Sequence, residues 1–198
     1  MTRVLVWRHG RTAWNAEHRF QGQTDIDLDE TGVRQAVRAA SRLAAVKPDL
    51  IISSDLSRAT STAARLAELT GLPVGIDARL RERHFGPWQG LTAKEIEERY
   101  PDDFLRWGAV TPIRNPDIES VANMTERVTA AFRDAIAQVG DGTAVLVTHG
   151  GAARLGCGTL LGWPSEIWHT LKVLDNCRVT DLRLHAVRGW QLYAHNQA

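Results

Sequence analysis

Three short apolar runs, each stopping at a polar loop, constrain this chain more than any other feature. Val4-Leu5-Val6-Trp7 ends at Arg8-His9-Gly10, Leu50-Ile51-Ile52 at Ser53-Ser54-Asp55, and Ala144-Val145-Leu146-Val147 at Thr148-His149-Gly150-Gly151. Runs of this length that carry β-formers read as buried strands. Helical patterns lie between them. Val33, Ala36, Val37, Ala40, Leu43 and Ala44 recur at helical spacing until Pro48. Ser54 or Asp55 is the expected cap of a second helix that runs to about Gly71. A further strand is expected at Val74-Gly75-Ile76, and a capping box at Thr92-Ala93-Lys94-Glu95 opens a helix that Pro101 closes. Val121, Met124, Val128, Ala131, Phe132, Ala135 and Val139 mark an amphipathic helix, and another helix should follow Gly151. Residues 171–194 read as two or three strands. The alternation predicts an α/β fold, a three-layer αβα sandwich whose mostly parallel sheet is flanked by helices.

The rest of the chain sets bounds. Its 198 residues contain no repeat, low-complexity tract or linker, so residues 1–198 read as a single domain, with about 80–120 forming a lid over the site. A formal net charge of +1 gives no global field for nucleic acid or an anionic membrane, so any attraction for anions must be local. The basic residues are mostly arginine, with lysine only at Lys47, Lys94 and Lys172. Arginine's planar fork suits phosphate oxygens, although a biased genome explains the excess equally well. Cys157 and Cys177 make no disulfide framework, and no signal peptide or membrane span is visible, so the expected location is cytoplasmic.

In an open α/β sheet the carboxyl ends of parallel strands share one edge, where ligands bind. Arg8, His9, Arg58 and His149 all fall at or just past such ends and can converge. Any one of them alone is commonly structural; their joint placement points to a site. A zinc site built from His9, His149 and Glu82 is disfavoured. Two arginines beside the histidines repel a cation, and neither H-E-x-x-H nor a cysteine pair is present, so no metal is expected.

The stretch Arg8-His9-Gly10-Arg11-Thr12-Ala13-Trp14-Asn15 resembles the signature of the histidine phosphatase superfamily, which includes the phosphoglycerate mutases. Four further segments match in order: Gln21-Gly22 followed by Asp25 and Leu28; Ser53-Ser54-Asp55-Leu56-Ser57-Arg58-Ala59; Leu80 through Gly90; and Thr148-His149-Gly150-Gly151. The resemblance implies a phosphoglycerate mutase-like fold and phosphoryl transfer without a cofactor. It implies that His9 is the nucleophile, that Arg8, Arg58 and His149 hold the phosphate oxygens, and that Glu82 moves the proton. Asn15, Gln21, Gly22, Thr12, His84 and Gly150 are the implied phosphate- or substrate-binding residues.

Mutases of this family carry a basic insertion after the glutamate and Gly-Asn after the second histidine. Here Trp107 through Ile113 lacks paired basics and His149 precedes Gly150-Gly151, which favours a phosphatase. The alternatives are a cofactor-dependent phosphoglycerate mutase and a non-catalytic phospho-ligand-binding module. The 50–100 stretch resembles glucosyl-3-phosphoglycerate phosphatases and broad-specificity phosphatases. Many phosphatase relatives carry Gly-Glu-Ser before the long helix, where this chain has Ile118-Glu119-Ser120. The expected partner is a small phosphorylated substrate, with no nucleic acid and no membrane, and a homodimer is the assembly entertained.

Overall fold

The computed structural model describes residues 1–198. Strands β1 (Arg3–Arg8), β2 (Leu50–Ser53), β3 (Val74–Ile76), β4 (Thr143–Thr148), β5 (Val179–His185) and β6 (Gly189–Gln197) form one sheet in the order β3-β2-β4-β1-β5-β6. The first four in that order run parallel, and β5 and β6 add an antiparallel edge. The helices are α1 (Ala13–Ala16), α2 (Glu30–Ala45), α3 (Ser57–Thr70), α4 (Ala93–Arg99), α5 (Pro101–Gly108), α6 (Val121–Val139) and α7 (Gly150–Leu160). Of the two or three strands expected after residue 171, two form; residues 171–178 instead run past the end of β1, where the Arg8 N–H donates to the Arg178 carbonyl at 3.1 Å.

The unbroken apolar runs are explained by burial on both faces. Val4 and Val6 of β1 join Leu146 and Leu182 against α6 and α7. Leu5 and Trp7, pointing the other way, join Ile51, Val145 and Val147 against α2 and α3. Each fully buried side chain of this kind contributes about 1.5–3 kcal/mol. The apolar stripes are wider than the buried faces, since Val33, Val37 and Val121 remain exposed.

Helix ends follow local chemistry, with one correction. Gly71 takes φ 72° and closes α3, a left-handed cap that glycine adopts without strain. Neither Ser54 nor Asp55 caps the start of α3, however: its N-cap is Leu56, with no side-chain bond. The carboxylate of Asp25, distant in sequence, accepts instead from the N–H and hydroxyl of Ser57 at 2.8 and 2.7 Å. Thr92 and Glu95 form the expected capping box, and Pro101 both ends α4 and starts α5.

Between β3 and α6 the chain builds a second, small core. Trp88, Ile96 and Ile118 are its buried centre, packed by Phe20, Phe85 and Phe104 among others. Phe20 comes from the segment after α1 and sets its ring edge-on to Phe85, Trp88 and Trp107, at 5.2, 5.9 and 5.4 Å. The irregular segment is thereby locked to the residues that lead into Gln21-Gly22.

In the main core, Gly156 of α7 seats the Phe132 ring of α6, and a Cβ there would collide with that ring. Phe132→Ala should destabilise the protein by about 3–5 kcal/mol. The check is the urea midpoint at unchanged m-value.

Candidate active site

Strand register brings the candidate residues together. Arg8 pairs with Thr148 across β1 and β4, and Ser53 with Val147 across β2 and β4, so the strands end nearly level. The ladder continues one residue further: the His9 N–H donates to the Thr148 carbonyl at 3.0 Å and the Ser54 N–H to the Val147 carbonyl at 2.9 Å. The rings of His9 and His149 consequently lie 5.1 Å apart, both buried. Arg58 enters from the first turn of α3 and is 0% exposed.

His9 is held as a neutral imidazole with one nitrogen to spare. Its Nδ1 lies 2.7 Å from the Gly10 carbonyl, an oxygen that can only accept, so Nδ1 carries the hydrogen and Nε2 the lone pair. Burial, reinforced by the charges of Arg58 and Arg8, pushes its pKa well below the ordinary histidine value. Gly10 is needed because a Cβ would stand 2.6 Å from the Gly32 carbonyl oxygen at the start of α2. The Gly10 N–H donates to Thr62 Oγ1 at 3.0 Å, and that hydroxyl donates to the Arg58 carbonyl at 2.7 Å. Behind His9, Asn176 Nδ2 donates to the His9 carbonyl at 3.2 Å and to Asn15 Oδ1 at 3.1 Å.

Two guanidinium groups and the second histidine lie close to the His9 ring. Arg8 donates to the Leu174 carbonyl; Arg58 donates to the Gly22 and Thr24 carbonyls at 2.7 and 2.8 Å. These bonds aim the side chains but leave the Nε of each buried and unpartnered. Burial pushes the Arg58 pKa down to about 10, with Arg8 adding to the fall and Glu82 and Asp25 opposing it. His149 Nε2 lies 2.9 Å from Ser54 Oγ, while its Nδ1 is buried with no partner. The Leu56 N–H donates to Ser54 Oγ at 3.4 Å, so the Ser54 hydroxyl is free to donate to Nε2. That arrangement leaves the hydrogen on Nδ1. Burial, then Arg58 and His9, holds the His149 pKa well below the ordinary value as well. Buried donors without partners mark a place prepared for an anion.

Glu82 approaches from the segment after β3. Its Oε1 accepts from the Arg83 N–H at 2.9 Å and its Oε2 from the Gly151 N–H at 2.8 Å. A Cβ at residue 151 would collide with the Glu82 carboxylate, so the glycine is what lets Glu82 seat there. The neighbouring arginines do not pair with it. Arg81 binds Asp55, and Arg83 donates to the Glu119 carbonyl. Arg127 of α6 fixes the segment, donating to the carbonyls of Arg79, Arg81 and Glu82 at 2.8, 2.7 and 2.9 Å. Glu119 holds Arg127 in turn through two bonds of 2.6 and 2.8 Å. Thr148 Oγ1 also ties the segment to β4, by a 2.7 Å bond to the Leu80 carbonyl.

The other candidate residues divide. Thr12 caps α1 in a reciprocal box with Asn15, whose Oδ1 is fully engaged and whose amide nitrogen is the free end. Gly22 takes φ 53° and lends its carbonyl to Arg58; Gln21 Oε1 is buried without a partner. Gly150 starts α7 against Arg8, where a Cβ would lie 3.6 Å from Arg8 Nε. His84 is exposed, and its ring bonds the Asp117 carbonyl at 3.0 Å instead of any phosphate-facing group. In the Ile118-Glu119-Ser120 segment, Glu119 anchors Arg127 and Ser120 caps α6. Thr62, Asn176, Arg127 and Ser54 were not singled out from the sequence as site residues. Each acts through a long-range bond, and only Ser54 lies inside a matched motif.

No group of three or more His, Cys, Asp or Glu side chains is placed to hold a metal ion. The two guanidinium groups near the histidines place positive charge there.

The model of the histidine phosphatase superfamily (branch 1) matches residues 4–198. A glucosyl-3-phosphoglycerate phosphatase of Mycolicibacterium vanbaalenii is 39% identical over 190 residues, covering 92% of this chain and 84% of that protein. A probable phosphoglycerate mutase of Citrobacter koseri is 37% identical over 185 residues, covering 91% of this chain and 84% of that protein. The solved structure of a mycobacterial glucosyl-3-phosphoglycerate phosphatase complexed with VO3 superposes with a TM-score of 0.91 at 38% identity, over 99% of each chain. The chain belongs to the histidine phosphatase superfamily. It is a phosphomonoester hydrolase.

The two buried histidines link stability to pH. Both have folded pKa values below the unfolded value of about 6.5, so below that pH the unfolded chain binds more protons than the folded one. Their contribution is therefore complete above pH ~6.5 and lost as pH falls from there. The melting temperature should drop on acidification below that point, and His9→Gln should flatten the slope; calorimetry across the range checks both.

Proposed function

We propose that His9 Nε2 attacks the phosphorus of a phosphate monoester, forming a P–N bond as the P–O ester bond breaks. The observation that carries this reading is a buried His9 whose Nδ1 is bonded to Gly10 and whose ring lies 5.1 Å from that of His149, under the charges of Arg8 and Arg58, with unpartnered polar atoms on all three neighbours. Those donors match charge spread over the non-bridging oxygens, where electrostatic stabilisation does most of the work. The amide nitrogen of Asn15 and the Gln21-Gly22 turn complete the phosphate cradle. Glu82 protonates the leaving alkoxide. Its carboxylate then takes a proton from water as that water attacks phosphorus, and the P–N bond breaks to release phosphate. Residues 80–120 act as the lid over this exchange, a reading supported by their separate aromatic core.

The substrate class we favour is a phosphorylated sugar acid of the glucosyl-3-phosphoglycerate kind, which two features support. The matching relatives include phosphatases of that name, and Trp107 stands half-exposed on the aromatic core. Gly151 supports hydrolysis over mutase chemistry. A side chain at this position would press on the Glu82 carboxylate, which accepts from the Gly151 N–H.

Glu82→Gln should separate the two half-reactions. General acid catalysis contributes ~10²–10⁴-fold, so hydrolysis of alkyl esters should fall by that much. p-Nitrophenyl phosphate, whose leaving group scarcely needs a proton, should show a burst of p-nitrophenol and an accumulating phosphohistidine. Equal loss on both esters without a burst would move the proton role to another group. Hydrolysis by the wild-type protein should also persist in excess EDTA; loss restored by zinc or magnesium would overturn the mechanism.

A further inference from the structure

Arg154 has no role in the reaction described above, yet it is built like the residues that do. It lies in α7 at the positions i+4 and i+3 from Gly150 and Gly151, on the same helix face. That face looks into the site, because Gly150 lies against Arg8 and Gly151 donates to Glu82. Four arginines have a buried Nε without a partner: Arg8, Arg58, Arg65 and Arg154. Arg65 pairs with Glu68 through Nη1, and Arg8 and Arg58 donate to backbone carbonyls. Arg154 alone among them makes no hydrogen bond and no ion pair through any of its nitrogens. Burial lowers its pKa, while the charge of Glu82 acts the other way.

Arg83 adds a second guanidinium beside the same carboxylate. It spends its Nε on the Glu119 carbonyl at 2.7 Å and lies over the Phe85 ring at 5.5 Å. Its pKa too is lowered by burial and raised by Glu119 and Glu82. Glu82 neutralises neither arginine by direct contact, since its oxygens are taken by the N–H groups of Arg83 and Gly151. A partly buried guanidinium without a partner is costly unless a ligand supplies the anion. The phosphoryl group is already served by Arg8 and Arg58, so that anion belongs to the part of the substrate on the Glu82 side, the leaving group.

We propose that Arg154, assisted by Arg83, forms a second anion subsite that recognises a carboxylate on the leaving group. The planar fork of arginine matches the two coplanar oxygens of a carboxylate, and the placement beside Glu82 puts that contact where the ester oxygen departs. This deepens the phosphatase reading and rests on it.

The test compares 3-phosphoglycerate with glycerol 3-phosphate, which has a hydroxymethyl group in place of the carboxylate. The readout is the ratio of their kcat/KM values in the wild type, Arg154→Met and Arg154→Lys. The wild type should prefer the carboxylated ester. Arg154→Met should reduce that preference by about 10–100-fold, the range for a charged hydrogen-bonding partner, chiefly through KM. Arg154→Lys should retain part of it, which guards against a folding defect in the first variant. A wild type with no preference for the carboxylated ester, or an Arg154→Met that leaves the ratio unchanged, overturns the subsite. Failure of the wild type to hydrolyse p-nitrophenyl phosphate would instead overturn the phosphatase reading itself.

Discussion

The parallel pairing of β1 with β4 is the constraint on which the site depends. Because Arg8 lies opposite Thr148, His9 and His149 emerge side by side and the backbone bond from His9 to Thr148 fixes their separation. β2, paired to the other side of β4, delivers Ser54 to His149 and opens α3 with Arg58. A slip of one residue would turn the alternation of β1 inside out, moving Leu5 and Trp7 onto the α6–α7 face. The two cores therefore hold the register, and the register holds the chemistry.

Electrostatics inside the pocket are consistent with that geometry. Burial first, and then two desolvated, only partly bonded guanidinium groups, lower the pKa of both neighbouring histidines and favour their neutral form. In the proposed mechanism that neutrality leaves His9 its nucleophilic lone pair, and the same positive field suits a phosphate dianion. The counter-charge is thus provided by the substrate and not by a permanent salt bridge; neither Arg8 nor Arg58 has a carboxylate partner in direct contact. Anchoring both side chains to backbone carbonyls sets their direction without cancelling their charge. This is the preorganisation that phosphoryl transfer requires.

The Glu82 side of the site, to which we assign the proton transfer, is assembled separately. Glu82 is carried by an irregular segment, and irregular segments position side chains poorly unless something ties them down. Arg127 does this from the long helix α6 by binding three carbonyl groups of the segment, those of Arg79, Arg81 and Glu82, and Glu119 braces Arg127. The Ile118-Glu119-Ser120 departure from the relatives' pattern keeps both useful side chains, since Glu119 and Ser120 hold their places without a preceding glycine. Gly151 completes the arrangement from α7 by leaving room for the carboxylate.

By itself the sequence determined the apolar-run strands, the main helices and their α/β alternation, and the family motifs singled out Arg8, His9, Arg58, Glu82 and His149 as candidates. Those follow from local pattern: apolar runs of strand length, helical spacing, and motifs whose chemistry sits within a few residues. His84, named for the same motif, bonds away from the phosphate groups because its neighbour Glu119 and the Asp117 carbonyl claim it. Only the tertiary structure decided that Asp25, not Ser54 or Asp55, meets the start of α3, and that Ser54 is left for His149. Thr62, Asn176, Arg127 and Arg154 belong to the same class. The groups that Thr62, Asn176 and Arg127 meet include some that lie tens of residues away, and Arg154 is left without a partner inside the chain; no local spacing encodes what a buried side chain will find once the sheet has closed.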